Sequence, residues 1–149
     1  MKEFLLQAMI PFLTATLGTL GFALLFWVPK RHLAFAVLGG SMAILAYLGA
    51  TLIWTDLFLC NMMAMMVSAT YAEIMARVTK CPVTLYLIPS IVPLVPGGGL
   101  YYTMFYLVDG NKEAAMIMGE KTLLTALGIS VGILIISIVT QFIYALKKA

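Results

Sequence analysis

The chain has 149 residues, of which 63% are hydrophobic and only 10% charged, and its mean hydropathy is +1.06. That leaves too little polar surface to clothe a soluble globule, so an integral membrane protein is expected. The net charge of +3, from 9 Lys+Arg against 6 Asp+Glu, sits in short clusters between apolar runs rather than on one basic face, which argues against a nucleic-acid partner.

A helix needs about 20 apolar residues to cross the hydrocarbon, and five such segments can be marked, at residues 4–28, 33–54, 57–76, 82–108 and 120–146. The expected fold is an all-α membrane domain over residues 1–149. Met1 and Lys2 resemble the start of a signal peptide, but the run behind them is longer than an h-region and has no small-residue cleavage site before Pro29, so it reads as a retained span. Trp54, Thr55 and Asp56 form a tight turn between the second and third spans, with the indole at headgroup level. In that turn Asp56 is either a solvated or capping acid or a functional one.

Glu73 and Arg77, four residues apart, share a face near the end of the third span and can pair. Glu73 reads either as a membrane-embedded acid with a coupling or gating role or as half of an interfacial ion pair. Cys60 and Cys81 lie roughly 30 Å apart on the helical rise, beyond reach of a disulfide. Met62, Met63, Met65 and Met66 beside Cys60 cover several helix faces and read as packing rather than a copper site. No metal or cofactor is assigned. His32, the only histidine, is expected to be solvated at an interface. The amides Gln7, Asn61 and Gln141 read as hydrogen-bonding glue between helices.

The fourth segment is the most informative. Pro89, Pro93 and Pro96 are followed by Gly97, Gly98 and Gly99, so a run long enough to span cannot be one continuous helix. Unpaired backbone at membrane depth persists only against protein or a water-filled hollow, and transporters place substrate sites at such breaks. If a helix resumes after the glycines, its free amides and dipole suit a carboxylate, with Tyr101 and Tyr102 adding hydroxyls and aromatic walls. The bland reading is a kink in a packed helix.

On the fifth span Gly128 and Gly132 form a GxxxG, and Ala36 with Gly40 and Ala46 with Ala50 repeat the spacing on the second, which predicts close packing against an unspecified partner. Lys30 with Arg31, Arg77 with Lys80, and Lys147 with Lys148 are each an even number of spans apart, so five crossings put all three in the cytoplasm and the amino terminus outside. A rival topology makes residues 82–108 re-entrant and sends Lys147 and Lys148 outward. Catalytic motifs such as Gly-x-Ser-x-Gly, His-Glu-x-x-His or paired acids are missing from the sequence, and enzyme activity is not expected.

The segments GTLGFALLFWVPKRHL at 18–33, YAEIMAR at 71–77 and above all LIPSIVPLVPGGGLYYTM at 87–104 resemble the small-subunit form of the threonine/serine exporter family. The resemblance covers nearly the whole chain. It implies a secondary exporter in the cytoplasmic (inner) membrane that works with a larger membrane subunit and carries threonine, serine or a dicarboxylate such as succinate. The candidate site is then Pro93, Pro96, Gly97, Gly98, Gly99, Tyr101 and Tyr102 for the substrate, with Glu73, Arg77 and Asp56 for coupling or gating. Export driven by the proton gradient is the leading expectation. A non-transporting scaffold subunit is the alternative, a channel is the third reading, and a homo-oligomer stays open as an assembly.

Overall fold

The computed structural model describes residues 2–148, with the side chains of residues 9–146, and the regular elements among them are all helical. They are α1 (Lys2–Leu25), α2 (Lys30–Thr51), α3 (Leu57–Thr79), α4 (Thr84–Ile91), a 3-10 turn (Val92–Leu94), α5 (Gly97–Val108) and α6 (Lys112–Lys148). Among the described residues, α2, α3 and the apolar body of α6 are each long and apolar enough to cross a bilayer, and α4 with α5 makes a fourth candidate if the bent pair is one span. In α1 the apolar stretch Met9–Leu25 is shorter. The molecule is a multi-pass membrane protein.

Adjacent helices follow the order α1, α2, α3, α6, while α4 lies over α2 and α3 and α5 lies against α6. Small residues set these contacts. Gly40 faces Thr19 of α1, and Gly39 faces Ser90 of α4 and Tyr71 of α3. Thr16 and Ser41 join α1 to α2 by a 2.9 Å hydroxyl pair.

The GxxxG of the fifth span is the seat of α3. A Cβ on Gly128 would stand 2.5 Å from the Phe58 carbonyl oxygen, and one on Gly132 would stand 2.7 Å from that of Met62. Asn61 lies against Gly128, Met65 against Gly132, and the Arg77 guanidinium 4.0 Å over the Tyr144 ring. These three pairs keep a constant offset of 67 residues (61 to 128, 65 to 132, 77 to 144). The two helices are therefore parallel, and α6 runs from the Asp56 end to finish beside Arg77.

Two expectations change here. The last helix begins at Lys112 rather than residue 120, because Asn111 Oδ1 accepts from the Ala114 amide and caps it. The loop before it shrinks to a turn in which Gly110 takes φ +79°, the left-handed geometry that glycine tolerates. By the α3 register, the first three turns of α6 extend roughly 18 Å beyond Leu57, and α5 folds back along them.

His32 is also not a solvated interfacial residue. It is 6% exposed, and its Nδ1 lies 2.7 Å from the hydroxyl of Tyr86. Burying an imidazole requires such partners. The two tryptophans lie at opposite ends of the bundle. Trp27 is exposed at φ 57° between α1 and α2, and Trp54 lies between α2 and α3.

Candidate functional site

The break is real but sits one step before the glycines. Pro89 lies inside α4 and Pro93 inside the 3-10 turn, each without an N–H to donate. The chain leaves helical geometry at Val95 (ψ 126°) and Pro96 (ψ 53°), and the axes before and after differ by 48°. Gly97, Gly98 and Gly99 are not the irregular segment. They are the first turn of α5, and none has a positive φ. Their value is lack of bulk: a Cβ on Gly99 would run into the Thr122 hydroxyl, whereas Gly97 and Gly98 face open space.

The start of α5 keeps free donors. The Gly97 amide donates to Val95 O at 2.8 Å and that of Leu100 to Pro96 O at 3.0 Å. No side chain caps the helix, and the amides of Gly98 and Gly99 have no acceptor among the described residues. This is the unsatisfied, positive end of a helix.

A cavity of about 340 Å³ opens against the break. Pro93, Pro96 and Gly99 form one wall, Ile44 and Tyr47 of α2 and Asn61 of α3 the second, and Lys121, Thr122 and Thr125 of α6 the third. Thr122 and Thr125 donate to carbonyls one turn back, Met118 O at 2.7 Å and Lys121 O at 2.9 Å. Asn61 is 3% exposed and donates to Leu57 O at 2.7 Å, so among the described residues its side chain bonds within its own helix rather than between helices. Lys121 supplies a cation, and no carboxylate among the described residues lines this cavity.

Next to it, and sharing Leu57 and Lys121, lies a cleft lined by Thr55, Asp56 and Glu120. Asp56 caps α3 by accepting from the Phe58 amide at 2.8 Å. Cavity and cleft together lead from the break to the Asp56 end of the bundle.

Of the sequence-predicted site residues, the structure brings Pro93, Pro96 and Gly99 to the cavity and Asp56 to its approach. Gly97 and Gly98 flank it without lining it. Tyr101 and Tyr102 stack edge to face at 5.3 Å, are 64% and 50% exposed, and do not line the cavity. Glu73 and Arg77 form a 2.7 Å ion pair about 18 Å along α3 from Asn61. Gln7 lies outside the residues whose side chains are described, and Gln141 is exposed.

Lys121, Thr122 and Thr125 are not among the sequence-predicted site residues, because the fifth span stands out in the sequence for its GxxxG packing at Gly128 and Gly132 instead. The signal was present. Ala115, Met118, Thr122, Thr125 and Ile129 recur at the spacing of one helix face, and all five are buried or half-buried.

Several helices long and apolar enough to cross a bilayer, with a bent helix pair beside a hollow that holds a cation and a free amide, are features found where membrane transporters bind solutes. The family described as "Threonine/Serine exporter, ThrE" matches residues 11–139, and the chain belongs to that transporter family. No curated protein and no solved structure matched the chain significantly.

Proposed function

We propose that the chain is one subunit of a secondary transporter that exports a small carboxylate-bearing metabolite, and that the cavity at the break is its substrate site. The observation that carries this is that Lys121 and Gly99, whose amide has no acceptor among the described residues, line the same hollow. A carboxylate held there exchanges water for charge-assisted hydrogen bonds. The ammonium of threonine or serine would reach toward Asp56 and Glu120 in the adjoining cleft, while a dicarboxylate such as succinate would need the Thr122 and Thr125 hydroxyls to turn from their carbonyls to receive its second charge.

Five crossings remain the topology of choice, with the basic end in the cytoplasm. Lys30 and Arg31 begin the helix whose His32 meets Tyr86 and Cys81, and Arg77 meets Tyr144 just before the chain ends. All three basic clusters thus gather at one end, as short cytoplasmic loops do. The cytoplasmic membrane is the proposed location. The larger subunit of the split exporters is the proposed partner, since five helices are few to enclose a path. The apolar α5, of which no residue is buried, leaves surface for it.

Glu73 is the proposed ion-coupling group. Its side chain is 15% exposed and paired with Arg77 within α3, and Arg77 in turn stacks on Tyr144 of α6, so adding a proton to Glu73 would free from its ion pair the guanidinium that joins the two helices. Glu73→Gln should leave folding within about 1 kcal/mol of wild type, the usual worth of a partly exposed pair. It should also make export insensitive to an imposed pH gradient. A variant that still follows the gradient like wild type would remove Glu73 from coupling.

The test of the function is counterflow into liposomes holding this chain with the larger subunit, using labelled serine, threonine and succinate. Saturable accumulation of at least one is expected. Accumulation with the larger subunit alone, at the same rate, would favour the scaffold role instead.

A further inference from the structure

The cavity adjoins the Asp56 cleft at one end of the bundle, and at the opposite end a cluster of side chains ties α2, α3 and α4 together. Tyr86, fully buried on α4, donates its hydroxyl proton to Thr79 Oγ1 at 2.9 Å. That hydroxyl has one proton, so His32 Nδ1, 2.7 Å away, must be the donor to it. Thr79 passes the chain on to Met75 O at 2.7 Å. The other ring nitrogen, Nε2, faces Cys81 Sγ at 3.6 Å.

One chain of hydrogen bonds thus ties the start of α2, the end of α3 and the start of α4. A turn higher, Ser90 Oγ donates to Tyr86 O at 2.6 Å, with its side chain against Gly39. The ionised groups around this cluster, Lys30 and Arg31 on α2 and Arg77 and Lys80 on or beside α3, make no hydrogen bond into it among the described residues; Arg77 bonds to Glu73.

The element held by this chain is built to come loose as a unit. Helix α4 has eight residues. It is bounded by Cys81–Pro82 on one side and by Val95–Pro96 on the other, and Pro89 removes one of its internal bonds. Hollows flank its far end on two sides. The site cavity is one, and a second of about 380 Å³ against Pro11, Thr14 and Thr19 of α1 shares Ile44 and Pro93 with it.

We infer that α4 is the gate closing the cavity toward the basic end, with the hydrogen-bond chain His32–Tyr86–Thr79 as its latch and Val95–Pro96 as its hinge. This rests on reading the cavity as the transport site. The structure is then the form open toward Asp56, and passage requires α4 to swing off α2 and α3.

Gly39 and Ser90 allow a direct test. A Cβ built on Gly39 stands 3.4 Å from that of Ser90, near the separation of about 3.8 Å found in disulfides. In a chain with Cys60→Ala and Cys81→Ser, the pair Gly39→Cys and Ser90→Cys should export when reduced, lose at least ten-fold on oxidation, and recover with dithiothreitol. Undiminished export by the fully oxidised protein would overturn the gate while leaving the transport reading intact.

Lack of export by wild type would count against the transport reading instead, and a second measurement then decides the gate. Tyr86→Phe in the otherwise native chain should label at Cys81 with maleimide several-fold faster than wild type, at equal folded yield. An unchanged labelling rate would show that no latch holds α4.

Discussion

Lys121→Met should reduce substrate affinity roughly 10- to 100-fold while leaving the folded yield unchanged, because a hydrogen bond to a charged group contributes about 1.5–3 kcal/mol. Lys121 is exposed along the cavity rather than packed in a core, and methionine keeps most of the stem volume, so a folding defect is not expected. Lys121→Arg should retain most of the affinity. Affinity measured by concentration-dependent counterflow, or by ligand-induced thermal shift in detergent, distinguishes the outcomes, and an unaltered value for Lys121→Met would take the cation out of the site. The glycine triplet gives a paired control within one helical turn. Gly98→Leu should be tolerated because its Cβ meets open space, whereas Gly99→Leu drives a side chain into Thr122 and should abolish accumulation.

The second large effect lies in packing. Gly132→Leu should prevent α6 from seating on α3, because the new Cβ meets the Met62 carbonyl oxygen and the Met65 side chain at van der Waals overlap. Backbone cannot step aside as a side-chain tip can. Overpacking in a core costs about 1–3 kcal/mol even where side chains adjust, so the loss here should reach or pass the upper end of that range. Gly128→Leu meets the Phe58 carbonyl and should behave alike. Size-exclusion profiles and thermal aggregation in detergent would read the effect, and a monodisperse Gly132→Leu protein with an unchanged transition would contradict the parallel register of α3 and α6.

Much of this architecture was legible in the amino acids, since apolar runs, breakers and small-residue spacing each act locally. Pro93 and Pro96 announced an interruption because a missing donor destabilises a helix wherever it falls. GxxxG announced a close neighbour, although nothing local could say that α3 was the one. The misreadings came where a residue's meaning depends on distant partners. The glycines looked like the irregular stretch because glycine permits such geometry, but the preceding Val95 and Pro96 absorb the turn and leave Gly97 free to start a helix. His32 looked solvated beside Lys30 and Arg31, yet Tyr86, 54 positions away, supplies the acceptor that lets it be buried. The start of the last helix was hidden because Lys112, Glu113 and Glu120 lower the hydropathy of a segment that Asn111 nonetheless starts as a helix.

The length of α6 bears on how an ionised solute arrives. Its 37 residues make a rod of about 55 Å, while the hydrocarbon is about 30 Å thick. On the proposed topology, the overhang beyond α3 carries the mouth flanked by Asp56, Glu120 and Lys121 toward the bilayer surface. An anion would then come within reach of the lysine while still carrying much of its water.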